Sequence, residues 1–349
     1  MPFDPASLGF PVELGNISRQ LKKLWETEGD TKTRASLINF AVFAEGDASL
    51  AANTELISQF VRDHSCRAVL VGHVPSAPEK KVSAWIQAHC HLTKAGAKQV
   101  CSEQVTLLAE GFSDEGVSNI LMSNLDYDLP LNLWWQPEFP ETGHSPLWTW
   151  VDRLIYDSAT WENPAEQLHR LHQLKAQGGP RMALSDLNWT RSLGFRQALA
   201  QCFDQPAILG DLASINRVEI RHLAGFESTA SLLACWLGAQ LGWTVADHYK
   251  QTIQFRCREN TPFECRLVAA NSGSVLAGIT ITSDTFQLTL DRDAVGALLH
   301  SKLTANNQNI EGHFSAGAET TKGLLSEEMN PSIRHKVYLK ALALQQTLF

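Results

Sequence analysis

The apolar residues change period several times along the chain, and each change predicts a different element. Residues 13–28 place Leu14, Ile17, Leu21, Leu24 and Trp25 on one helical face. Residues 33–44 are almost continuously apolar after Arg34, as a strand buried on both faces should be. Asp47 can cap a second helix that turns Leu50, Leu56, Ile57, Phe60 and Val61 inward. Residues 67–74 repeat the buried-strand pattern. Strand, helix and strand in that order predict a parallel crossover. Residues 82–92 alternate cleanly, residues 99–109 read as another strand, and the short link between them predicts a hairpin. A helix from Ser113 to Leu125 and a strand over 129–135 follow.

Ser145-Pro146 then opens a helix predicted over 146–160, with Leu147, Trp150, Val151, Leu154 and Ile155 on one side. Asn163-Pro164 starts a short capped helix that ends at Gly178-Gly179-Pro180. A longer helix follows Asp186, and its apolar stripe of Trp189, Leu193, Ala200 and Phe203 includes Arg196. A guanidinium there needs a partner, because burying it unpaired is costly.

The second half begins with a strand over 216–223 and a helix over 229–241 that is apolar nearly all round, hence central and covered. Four alternating strands follow, at 251–258, 263–270, 275–282 and 285–291. Residues 304–327 are polar and read as a loop, and Asn330-Pro331 starts a last helix. The fold class expected is α/β (α+β) in two domains. Residues 1–180 form a mixed sheet with flanking helices. Residues 181–349 form an antiparallel meander packed on helices.

Composition narrows the partners. With 37 acidic and 29 basic residues, neither a nucleic-acid groove nor an anionic membrane is expected. The first residues lack the basic and apolar regions of a signal peptide, and residues 230–241 are too short to span a bilayer. The seven cysteines are scattered without a CxxC pair, which predicts reduced, buried thiols and a cytoplasmic protein.

Candidate chemistry is sparse. No P-loop, GxGxxG, HExxH or GxSxG motif occurs. His89-Cys90-His91 on a strand turns only the histidines to one face, so no metal site and no cofactor are expected. Asp126, Asp128, Asp152 and Asp157 are the carboxylates available for acid/base work. The same stretch, residues 126–161, holds five of the ten tryptophans around a Pro/Glu/Gly/His loop. Indole rings favour interfaces, so Trp134, Trp135, Trp148 and Trp150, with His144 in the loop, are candidate partner-binding residues.

Several short motifs occur in a fixed order. Arg34-Ala35-Ser36-Leu37-Ile38-Asn39, Cys66-Arg67-Ala68-Val69 and Cys101-Ser102-Glu103-Gln104 come first. Asp128-Leu129-Pro130-Leu131-Asn132-Leu133-Trp134-Trp135 and Asp152-Arg153-Leu154-Ile155-Tyr156-Asp157-Ser158 come next. Asp186-Leu187-Asn188-Trp189-Thr190-Arg191, Phe195-Arg196 and Trp236-Leu237 complete the series. In this order they resemble the bacterial glucose-6-phosphate dehydrogenase assembly protein family, OpcA. The resemblance implies a non-catalytic partner that binds glucose-6-phosphate dehydrogenase, favours its active oligomer and acts as an allosteric activator. Such a protein would promote NADPH production in the oxidative pentose phosphate pathway of carbohydrate metabolism. The alternative is a sugar-phosphate or nucleotide-dependent enzyme using Asp128, Asp152 or Asp157 as acid/base.

Overall fold

The computed structural model describes residues 5–26, 32–34, 36–92, 99–141, 145–257, 261–329 and 336–349. The chain forms two compact units. One comprises residues 1–156 and 166–185, and the other residues 157–165 and 186–349. The chain therefore passes three times between them.

The first unit is built from β1 (Phe10–Val12), β2 (Lys32–Arg34), β3 (Asn39–Glu45), β4 (Arg67–Val74), β5 (Lys81–Leu92), β6 (Gln99–Glu110), β7 (Leu131–Trp135), β8 (Val151–Tyr156) and β9 (Ala183–Asp186). Its helices are α1 (Ile17–Glu26), α2 (Leu50–Phe60), α3 (Asp114–Met122), α4 (Leu147–Trp150) and α5 (Pro164–Gly178). The sheet order is β1-β5-β6-β4-β3-β7-β8-β9, with β2 beside β6. β6, β4, β3, β7 and β8 run parallel, while β5 returns antiparallel to β6 as the predicted hairpin. Strands β3 and β4 are buried almost throughout, as their unbroken apolar runs require. The winding runs outward from β3 through β4 to β6, then jumps back to β7 and continues to β8. This is the doubly wound order of dinucleotide-binding folds, with its switch point between β3 and β7.

One predicted element is corrected here. The helix expected over 146–160 is a single turn, α4, followed by strand β8. Val151, Leu154, Ile155 and Tyr156 are buried in it. Apolar spacing of three and four fits either period over so short a run. The open edge of β7 decides, because its backbone groups need hydrogen-bond partners that only a strand supplies.

The second unit contains α6 (Leu187–Arg191), α7 (Leu193–Phe203), β10 (Ile215–Leu223), α8 (Glu227–Leu241), β11 (Thr244–Tyr249), β12 (Thr252–Arg256), β13 (Pro262–Ala270), β14 (Leu276–Ser283), β15 (Phe286–Arg292), β16 (Leu298–Ala305), β17 (Gln308–Ser315), α9 (Thr321–Glu328) and α10 (Lys336–Gln345). Its sheet runs β11-β12-β13-β10-β14-β15-β16-β17, antiparallel except for the β10–β13 pair. Helix α8 is buried along Thr229–Gly238, as expected, and Gly242 closes it in the left-handed conformation.

The loop expected over 304–327 is also corrected. It holds the end of β16, all of β17 and α9. Asn306 and Asn307 both take positive φ, 51° and 59°. This is the two-residue hairpin geometry that asparagine tolerates. The helix after Asp186 is interrupted at Ser192, whose hydroxyl donates to Trp189 O and accepts from Arg196 Nε. Arg196 finds its expected partner by lying over the Trp189 ring, 3.5 Å from the centroid.

Cysteine pairing departs from expectation as well. The β5–β6 register sets Cys90 opposite Cys101, and the two form a disulfide. Linear spacing could not reveal a cross-strand register. Cys66, Cys202, Cys235 and Cys265 are free and buried, and burial pushes the Cys66 thiol up to about 12.

Candidate functional site

In doubly wound sheets ligands bind beyond the carboxyl ends of the strands at the switch point. Here aromatic side chains narrow that crevice. Phe43 near the end of β3 stacks on Trp135 at the end of β7, with centroids 4.1 Å apart and planes within 9°. Trp148 of α4 packs against Trp135 at 5.1 Å, and the Trp135 indole donates to Glu138 O. Asn53 of α2 and Gln136 exchange two amide hydrogen bonds of 3.0 and 2.8 Å across the same end of the sheet.

The first loop after β3 reads Glu45-Gly46-Asp47-Ala48-Ser49, with one glycine and two acids. It packs directly on β4. Gly46 N donates to His73 O, and a Cβ added at Gly72 would meet Gly46 O at 2.6 Å. A pyrophosphate needs open backbone N–H groups and glycines there, and carboxylates repel it. The recess that remains, about 180 Å³, is bordered by Glu45, His73, Asp114 and Glu138.

A larger cavity of about 460 Å³ lies at the opposite end, where β3, β7 and β8 begin. Its wall is the loop over 125–130, which the Asn39 side chain ties to β3. Asn39 Nδ2 donates to Asp126 O and Leu129 O, and Asn39 Oδ1 accepts from Asp126 N. The cavity is lined by Asp126, Tyr127, Asp128, Trp150, Asp152 and Arg181. Asp152 Oδ2 accepts from Leu131 N, and its Oδ1 accepts from Arg181 at 2.5 Å. Tyr127 is 72% exposed and Trp150 45% exposed, and their rings meet edge to face at 6.2 Å.

The second unit carries a buried polar knot. Asp186 accepts from Ser158 N at 3.0 Å, Ser158 Oγ at 2.7 Å and Asn188 N at 2.9 Å. Tyr338 OH donates to it as well. Asn188 Nδ2 donates to Ser158 Oγ and Ser228 Oγ, and Thr229 donates to Asn188 Oδ1. Beside the knot, Arg191 binds Asp157 through two bonds of 2.7 and 2.6 Å. The Asp157-Ser158 and Asp186-Leu187-Asn188-Trp189-Thr190-Arg191 motifs thus interlock with each other.

The sequence candidates separate accordingly. Trp134, Trp135 and Trp148 are buried, Trp150 presents its ring, and His144 lies outside the described residues. Asp126, Asp128 and Asp152 share the larger cavity, whereas Asp157 belongs to the second unit. Asp152 and Asp157 are each paired with an arginine, which suits structure better than proton transfer. His89 Nε2 bonds Gln104 Oε1, and burial holds the imidazole below its ordinary pKa. Among the described residues no group of three or more His, Cys, Asp or Glu could hold a metal. None of their helices is long and apolar enough to cross a membrane. Sequence reasoning missed Phe43, Tyr127 and Arg181. Only Tyr127, an aromatic between two aspartates in a predicted loop, carried a visible signal of exposure.

Comparison with known proteins brings two family models. Residues 58–173 match the glucose-6-phosphate dehydrogenase subunit N-terminal domain, and residues 182–342 the C-terminal domain of the same subunit. A candidate OxPP cycle protein OpcA from Synechocystis sp. is 25% identical over 301 residues, covering 80% of this chain and 62% of that protein. A protein of the same name from Nostoc punctiforme is 28% identical over 191 residues, covering 54% of this chain and 40% of that one. The chain thus spans less than two thirds of the length of the curated relatives it matches. An aldose–aldose oxidoreductase from Caulobacter crescentus aligns over 89% of this chain and 96% of its own, at 10% identity and a TM-score of 0.45.

Proposed function

The chain belongs to the glucose-6-phosphate dehydrogenase assembly protein family OpcA, and on that premise we propose that it is a non-catalytic, cytoplasmic partner of glucose-6-phosphate dehydrogenase. It binds the enzyme, favours its active oligomer and raises its activity. The oxidative pentose phosphate pathway is the setting in which that activity yields NADPH. The observation that carries the reading is the match of both halves of the chain, in order, to the two domains of one dehydrogenase subunit family.

The non-catalytic part is supported by the narrowed crevice. Phe43 and Trp135 line and narrow the recess at the switch point, and the neighbouring loop is acidic and poor in glycine. An activator works by binding the active form of its target more tightly than the inactive form. A tenfold preference corresponds to about 1.4 kcal/mol, within reach of a few interface side chains. Trp150 is the tryptophan we assign to contact with the enzyme. Trp134, Trp135 and Trp148 brace the sheet end and helix that present it.

The test is to mix the purified chain with its cognate dehydrogenase and follow activity and mass together. We expect activity to rise and the enzyme's oligomeric mass to increase. If neither quantity changes, the proposal is wrong.

A further inference from the structure

The cavity at the amino ends of β3, β7 and β8 has no part in the crevice chemistry above. Two exposed aromatic rings stand at its edge, Tyr127 and Trp150. Aspartates flank Tyr127 on both sides in sequence, and Asp126 and Asp128 both line the cavity. Asp152 lines it too but is already engaged by Arg181. Carboxylates outnumber cations in the lining.

The loop that carries these groups is held in shape. Beyond the three Asn39 bonds, Leu129 N donates to Asp126 O and Asp128 N donates to Asp126 Oδ1. A preformed cup binds without the entropic cost of ordering its own walls.

Its chemistry selects the occupant. Aromatic faces attract a cation through the ring quadrupole, more strongly when solvent is excluded. Carboxylates beside them accept the hydrogen bonds of a guanidinium or ammonium group. A phosphate or carboxylate ligand meets repulsion from the aspartates. An apolar side chain leaves the Asp128 carboxylate desolvated with no cation against it. Arginine is enriched at interface hot spots because its planar fork both stacks and bonds. We propose that this cavity receives an arginine or lysine side chain projecting from the dehydrogenase surface, with Tyr127 and Trp150 as walls and Asp128 as counter-charge. The inference rests on the partner reading above and gives that partner surface its charge: basic where it meets this loop.

The experiment measures the affinity of the full chain for its purified cognate dehydrogenase at several salt concentrations. Wild type is compared with Trp150→Ala, Asp128→Asn and Asp128→Lys. Asp128 and Trp150 are surface positions, so circular dichroism and melting temperature should remain those of wild type. We expect Trp150→Ala to weaken binding by about tenfold or more, and Asp128→Lys to weaken it further. Asp128→Asn should flatten the salt dependence, because one screened attraction is gone. If wild type binds and all three variants match it in affinity and salt dependence, the cation pocket is wrong while the partner assignment stands. If wild type does not bind the enzyme at all, the partner assignment fails and takes the pocket with it. If the variants instead abolish self-association of this chain and leave enzyme binding intact, the occupant is a second copy and the proposal is overturned.

Discussion

The Tyr338 hydroxyl donates to the Asp186 carboxylate across 3.1 Å, although 152 residues separate them in the chain. Asp186 is wholly buried, and desolvation lifts its carboxyl to about 6 against the pull of the Ser158 and Asn188 donors. Because the folded value lies above the unfolded one, the fold favours the protonated acid. Its contribution is fully present below about pH 4 and is lost as pH rises through about 6. The loss at neutral pH is on the order of 3 kcal/mol. Asp186→Asn lacks this term. Raising pH from 4 to 7 should therefore lower the stability of wild type relative to the variant, as read from urea unfolding at each pH. A constant difference between the two proteins would contradict the assignment. Tyr338→Phe should cost about 1 kcal/mol, one hydrogen bond in a buried network.

Asp157 and Arg191 form a two-bond ion pair in which both side chains are largely buried. Removing one charge strands the other. Asp157→Asn should destabilise by about 2 kcal/mol or more, discounted for partial solvent access from the cost of breaking a buried pair. Pairing it with Arg191→Met should recover part of the loss, since neither charge is then left alone. A double-mutant cycle on melting curves checks this, and strictly additive losses would exclude coupling.

The Cys90–Cys101 disulfide closes a hairpin whose cysteines lie 11 apart in sequence. By loop entropy such a closure contributes at most about 3 kcal/mol. A strong reductant should lower the melting temperature of wild type by several degrees and leave Cys90→Ser unaffected. Equal shifts in the two proteins would place the effect elsewhere.

Gly278 lets Arg221 reach across β14 to Asp291. A Cβ there would meet the Arg221 guanidinium at 2.1 Å and Leu290 O at 2.8 Å. The ion pair is half exposed and contributes little, so the backbone clash dominates. Gly278→Ala should cost about 1–3 kcal/mol, the ordinary cost of overpacking. Chemical denaturation measures it, and an unchanged midpoint would show that the strand yields freely.

Much of this protein is legible in its residues. The unbroken apolar runs of β3 and β4 announce strands buried on both faces, and the all-round apolar α8 announces a covered helix ended by Gly242. Arg196 in an apolar stripe required a partner, and the Trp189 face supplies one. The ordered motifs were visible too. Their contacts were not, because a motif says nothing about what its residues touch.

By itself the sequence determined most of the element periods, the fold class and the family, while the cap expected at Asp47 falls instead at Ser49. The periods depend on neighbours within a few residues, where backbone geometry sets which side chains share a face, and the family depends on the order of motifs along the chain. The tertiary structure decided what needs two distant segments to meet. It made residues 151–156 a strand at the open edge of β7, and it set Cys90 opposite Cys101. It stacked Phe43 on Trp135 in the switch-point crevice and tied Asp157-Ser158 to Asp186–Arg191. It also left Trp150 exposed beside Tyr127 while burying Trp134, Trp135 and Trp148. Burial and register are properties of the assembled sheet, and no local period encodes them.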